Sequence, residues 1–183
     1  MPGSASRGTL AGYKGVESAP MLKEQFDRLL DEVRAACHAV YGDRLVSLAV
    51  FGSVARGAMR ADSDVDLLLV ADPLPAGRMA RMDEFAAVEK RVAPALDAAT
   101  ARGIRTILSP AFRTTEELRR GGLLFLDLVA EARILDDREA TLRGYLDELG
   151  EKLRAMGARR VSKGGGYYWL LKPDYRWGDR IEL

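Results

Sequence analysis

Phe51-Gly-Ser-Val-Ala-Arg-Gly-Ala-Met-Arg-Ala-Asp-Ser-Asp-Val-Asp-Leu-Leu-Leu-Val70 joins a glycine-serine turn to two aspartates one residue apart at the head of a strongly apolar run. Leu45-Val-Ser-Leu-Ala-Val-Phe51 leads into it, and Val65-Asp-Leu-Leu-Leu-Val70 closes it. Both segments are short, apolar and rich in β-branched or large side chains, which predicts two buried strands flanking a tight polar connection.

Asp64 and Asp66 are two residues apart, so on a strand their side chains project from the same face. Like charges that close repel, and strands disfavour Asp; a divalent cation removes the conflict by neutralising both. Hard carboxylate oxygens suit Mg²⁺, which keeps several waters and takes further ligands from substrate phosphates. Gly52-Ser53 supplies the complementary half. A turn that follows a strand and opens a short helix aims backbone N–H groups at an anion; Gly52 permits close approach and Ser53 adds a hydroxyl donor. The planar guanidinium of Arg56 is suited to a phosphate contact.

Two familiar motifs fail here on specific residues. Gly52 to Gly57 has the glycine spacing of a P-loop, but Ala58-Met59 stands where Lys-Ser/Thr must follow. Asp62-x-Asp64-x-Asp66 begins like a calcium loop, yet Leu67 takes the glycine position and Pro73 the glutamate position. An isolated Asp-x-Asp is ordinarily a solvated turn. The company of Gly52-Ser53 and Arg56 argues for a ligand site instead.

Outward from this centre, residues 1–20 are dense in Gly, Ser, Ala and Pro and read as a flexible leader. From Met21 apolar residues recur every three or four positions up to Gly42, predicting an amphipathic helix with a glycine stop. A second helical pattern runs through Met82, Phe85, Val92 and Leu96, with Pro94 expected to kink or divide it. Ile104–Leu108 reads as a strand ended by Ser109-Pro110, and Thr114-Thr-Glu-Glu117 as a capping box. Leu124–Val129 and Arg133–Leu135 read as a hairpin tipped by Glu131. A third helix carries Leu142 to Met156, and a basic, glycine-rich, aromatic arm follows. The order predicts an α/β (α+β) fold, a small mixed sheet flanked by helices, with a domain over residues 21–136. Residues 137–183 are expected to pack on it as a C-terminal helix and aromatic arm.

The chain has 28 Lys+Arg against 27 Asp+Glu in 183 residues. That balance gives no general attraction to nucleic acid or anionic membrane, so any anion site must be local. One cysteine, Cys37, excludes an intrachain disulfide, and with the single His38 leaves too few ligands for an ordinary zinc site. No run is long enough to span a bilayer, and a cytoplasmic location is expected.

Taken together, the strand, Gly52-Ser53, Arg56-Gly57 and Ser63-Asp64-Val65-Asp66 resemble the signature of the nucleotidyltransferase superfamily with the DNA-polymerase-β-like fold, especially its small minimal members. The resemblance implies that Gly52, Ser53, Arg56 and Ser63 bind the nucleotide and that Asp64 and Asp66 hold Mg²⁺. It implies transfer of a nucleoside monophosphate from an NTP, with ATP expected, to an acceptor hydroxyl of a protein, RNA or small molecule. It further implies a second subunit or a helical partner protein. Members of this superfamily carry a third carboxylate on a later strand. Ile104–Leu108 has none, so Asp127 is the first candidate and Glu131 and Glu116 are alternatives. Without a third acid the chain would be a degenerate nucleotide-binding regulatory or antitoxin-like module. The arm from Arg159 to Trp177 could stack and neutralise an RNA end or a base, or simply cover the core.

Overall fold

A computed structural model describes residues 19–164 and 166–175. The expected leader up to residue 18, and Arg176 and Trp177 of the arm, lie outside the described residues.

The two predicted strands are β1 (Leu45–Phe51) and β2 (Val65–Ala71), paired antiparallel with Phe51 opposite Asp66. The connection between them opens with a single turn, α2 (Gly52–Ala55). β2 also pairs in parallel with β3 (Leu108–Arg113), and β1 pairs antiparallel with β4 (Arg133–Asp137). The result is a four-stranded mixed sheet in the order β3-β2-β1-β4.

Alternation along the strands builds two cores. Leu67 and Leu69 of β2, with Leu48 and Val50 of β1, face α1 (Ala19–Tyr41) and α3 (Arg78–Ala101). Leu68 and Val70, with Ala49, face α4 (Thr115–Arg119), α5 (Leu124–Glu131) and α6 (Thr141–Ala155). A strand buried on both faces reads as one continuous apolar run, which is what Leu67–Ala71 shows. By the same alternation Asp66 shares the face of Leu68 and Val70, at the end of β2 nearest solvent. Cys37 sits in the first core, and burial pushes its thiol up to about 12.

Several boundaries differ from expectation. α1 begins at Ala19, because a proline in the first turn removes no intrahelical hydrogen bond. α3 runs undivided through Pro94. β3 begins where Ile104–Leu108 was expected to end and includes Ser109 and Pro110. A strand with an unpaired outer edge tolerates a residue that lacks an N–H. The expected hairpin is instead α5 followed by β4, with Glu131 the last residue of the helix. Phe125, Leu126 and Leu128 are buried together in the second core, a helical rather than a two-residue period. The capping box is present: Glu117 N–H donates to Thr114 Oγ1 at 3.1 Å and Thr114 N–H to Glu117 Oε2 at 2.9 Å.

Beyond α6, β5 (Arg159–Lys163) and β6 (Gly166–Leu170) form an antiparallel hairpin separate from the main sheet. Trp169 and Leu171 pack against the second core.

Leu69 is fully buried at the centre of β2. Leu69→Ala is expected to lower the unfolding free energy by about 2–5 kcal/mol, read as a shift in the urea midpoint at unchanged slope; a shift near zero would contradict the two-faced core.

Candidate functional site

The site is built where β1 gives way to α2. Phe51 is extended, and Gly52 has φ of 71°, a left-handed conformation that favours glycine. The close approach of Asp66 imposes a second constraint, because a Cβ added at Gly52 would overlap Asp66 Oδ2. Arg56 N–H closes the turn on Gly52 O at 3.2 Å and Ala58 N–H on Ser53 O at 3.0 Å. The Ser53 hydroxyl makes no hydrogen bond to any described residue. The remaining connection is tied by a turn in which Ser63 N–H donates to Arg60 O at 3.1 Å and Ser63 Oγ accepts from Arg60 N–H at 2.9 Å.

Asp64 stands exposed just before β2 and Asp66 is half-buried inside it. Burial raises the Asp66 carboxyl above the usual carboxylate range, and the charge of Asp64 raises it further. The Ser109 hydroxyl and the Arg56 guanidinium oppose that shift. Phe51, Asp66 and Ser109 form one row across β1, β2 and β3. The sheet thus places Ser109, one residue beyond the expected strand Ile104–Leu108, beside Asp66. The hard oxygen donors and their mutual repulsion fit a divalent cation held by two protein carboxylates and completed by other oxygens. Among the described residues no three His, Cys, Asp or Glu side chains gather into a metal-holding group.

The strand expected around Asp127 is a helix: Asp127 lies in the first turn of α5, and its Oδ1 accepts from Trp169 Nε1 at 2.9 Å. Glu131 is more informative than its sequence position suggested. Its side chain is only 6% exposed and takes ion pairs from both Arg56 and Arg160. Arg160 also stacks on Tyr167, 3.9 Å from the ring centre. Glu116 is paired with Arg120 on the surface of α4. The sequence signals for Glu131 and Ser109 were present but attached to the wrong elements, a turn in one case and a strand terminus in the other.

On the β3 side of Asp66 lies a cavity of ≈ 510 Å³ whose lining includes Phe51, Ser109, Arg78, Arg81 and Arg113. Arg81 forms a two-pronged pair with Glu117, both contacts at 2.8 Å, and the Arg81 guanidinium holds the Glu117 carboxyl down at about 2.

Residues 30–119 match the family described as the nucleotidyltransferase domain. A protein of Methanocaldococcus jannaschii named "Putative protein adenylyltransferase" is 43% identical over 61 residues, 33% of this chain. Those residues span 42% of that relative's length. Among solved structures, a toxin–antitoxin crystal with AMP-PNP is 17% identical, with 73% of this chain and 90% of that chain covered at a TM-score of 0.39. A "putative nucleotidyltransferase" from Sulfolobus solfataricus is 20% identical, with 70% and 95% covered at a TM-score of 0.37.

Two outcomes follow from the geometry. Gly52→Ala is expected to cost about 1–3 kcal/mol of stability through its left-handed backbone and the overlap with Asp66. Gly52→Ala combined with Asp66→Ala should recover part of that loss, whereas strict additivity in chemical denaturation would show that the overlap is not felt. The Glu117 pair contributes stability above the unfolded-state value near 4.5 and loses it as pH falls toward about 2. The stability advantage of the native chain over Glu117→Gln should therefore be present at pH 6 and shrink at pH 2.5; an advantage independent of pH would contradict the pairing.

Proposed function

From the match of residues 30–119 to the nucleotidyltransferase domain family, we propose that the protein transfers a nucleoside monophosphate from an NTP, ATP being the expected donor, to an acceptor hydroxyl. The observation that carries this reading is the seating of the Asp66 carboxylate directly over Gly52, in van der Waals reach of the turn that Ser53 opens. One small volume then holds a phosphate-binding turn and a pair of metal-binding carboxylates. The adenylyl chemistry in the name of the archaeal relative supports ATP as donor.

In the reaction a bond forms between the acceptor oxygen and the α-phosphorus, and the bond from that phosphorus to the bridging oxygen breaks. The electron pair leaves with pyrophosphate, and the acceptor proton passes to a carboxylate or to water. Ser53 and the N–H groups at the start of α2 bind phosphate oxygens. Arg56, with one guanidinium edge held by Glu131, adds a charge-assisted contact. Ser63 fixes the connection that presents Asp64. Asp64 and Asp66 would hold Mg²⁺, which neutralises phosphate charge and stabilises the leaving oxygen. Asp127, the expected third carboxylate, accepts from Trp169 and so ties α5 to the C-terminal hairpin. A cytoplasmic setting suits a donor such as ATP, and among the described residues no helix is long and apolar enough to cross a membrane.

A second reading is favoured by one observation: Ser109, not an acid, stands beside Asp66. The chain would then bind NTP without turning it over, as a regulatory or antitoxin-like module. Labelled ATP, Mg²⁺ and cell extract separate the two readings. Label transfer with pyrophosphate release supports the enzyme, and Asp64→Asn with Asp66→Asn should reduce it about 10²-fold or more, since metal clamping supplies several kcal/mol. Saturable nucleotide binding by calorimetry with no pyrophosphate supports the module, and transfer undiminished in the double variant would overturn the assigned site.

A further inference from the structure

The cavity beside Asp66 lies outside the phosphate turn, since neither Gly52, Ser53 nor Arg56 lines it. Two of its lining residues, Phe51 and Ser109, are the cross-strand partners of Asp66, so its inner end adjoins the reacting centre. Its outer end is cationic. Arg81 is held in place, with its fork on Glu117 and its Nε on Pro75 O at 2.8 Å. Arg113 donates Nη1 to the neighbouring Phe112 carbonyl at 2.7 Å and is in no ion pair among the described residues. Arg78 makes no hydrogen bond or ion pair to any described residue. Three guanidinium groups thus line the cavity with one carboxylate, that of Glu117, which Arg81 pairs and which Arg113 also acts on, a net excess of two positive charges.

That local excess contrasts with a chain whose charges otherwise almost cancel, 28 basic against 27 acidic. Charge focused in a cleft of an electrically balanced protein selects an anion there rather than over the whole surface. The volume of ≈ 510 Å³ lies within the range typical of small-molecule sites, roughly 300–1,000 Å³, and its lining is more polar than most. A nucleic acid would require the basic surface to continue, but Arg120 in the adjoining groove is already paired with Glu116 at 2.5 Å. An excess of two positive charges, carried on planar forks, corresponds to the charge of about −1.5 to −2 on a phosphate monoester.

We propose that this cavity is the acceptor site, and that the acceptor is a small hydroxyl compound bearing a phosphate group. The phosphate is bound by Arg78 and Arg113, and the hydroxyl lies toward Ser109 and Asp66. The substrate class rests on the nucleotidyltransferase reading; the anion site itself does not.

The test uses the full chain and defined probes: inorganic phosphate, glycerol 3-phosphate and ribose 5-phosphate, with glycerol and ribose as neutral counterparts. Binding is followed by calorimetry and ³¹P NMR, first without nucleotide and then with a non-hydrolysable ATP analogue and Mg²⁺ at saturation. The phosphate esters should bind in both conditions and the neutral compounds in neither. Arg78→Ala and Arg113→Ala should each weaken the esters about tenfold or more, the loss expected for one charge-assisted contact, while affinity for the ATP analogue stays within about twofold. Circular dichroism and the retained nucleotide affinity show that the variants are folded. Failure of the esters to bind, or equal binding by the variants, overturns the site. Loss of ATP-analogue affinity in parallel would make the cavity part of the nucleotide's own site and overturn the acceptor assignment. Binding only of an acidic peptide or a short RNA, offered as separate arms, overturns the small-molecule class. Failure of the native chain to bind the ATP analogue at all strikes the nucleotidyltransferase reading, and the nucleotide-free titration still decides the anion site.

Discussion

One half-buried carboxylate at the head of an otherwise buried strand, with a second, exposed one two residues before it, sets the terms for everything around it. Asp66 sits where β2 passes from solvent into two cores at once, and burial and Asp64 together work against its charge. The surroundings answer with specific groups. Gly52 has no side chain to obstruct the carboxylate, Ser109 offers a hydroxyl from the next strand, and Arg56 brings a positive charge from the turn. Because Leu67 and Leu69 lock one face and Leu68 and Val70 the other, the acids cannot retreat without disturbing both cores. The residual electrostatic cost is stored where a cation would relieve it.

Arg56 also ties this centre to a part of the chain remote in sequence. Glu131, nearly excluded from solvent, accepts both Arg56 from the turn and Arg160 from β5. Arg160 lies over Tyr167, and Trp169, its cross-strand partner, is held by Asp127. A buried carboxylate stripped of a partner is far more costly than one left paired. The C-terminal hairpin is therefore anchored by polar contacts at the site as well as by Trp169 in the second core.

The parts of the fold legible in the sequence were those whose signal is local. β1, β2, the turn between them, α1, α6 and the capping box at Thr114 each announce themselves within a few residues. The errors arose where context decides. Leu123 to Asp137 is apolar enough for either period, and only packing against the second core settles it as helix then strand. Ser109-Pro110 reads as a terminator until β3 is known to be an edge strand. At the site, Asp64, Asp66, Gly52 and Ser53 were singled out from their combined pattern and its resemblance to a known signature, and the structure brings Gly52 and Asp66 together. Ser109, Arg81 and the double pairing of Glu131 could not be singled out in that way, since each depends on which strand or helix lies alongside, a property of register and not of composition.

Pro110 has a consequence outside chemistry. Among the described residues β3 is an edge strand of the sheet, and a strand at an edge is a template on which another chain can extend the sheet. A proline near its middle interrupts the row of donors that a docking strand would need, and the chain turns into α4 shortly after Arg113. The same residue borders the arginine-lined cavity. Among the described residues, the proline that breaks this edge and the cavity that it borders are thus features of one strand.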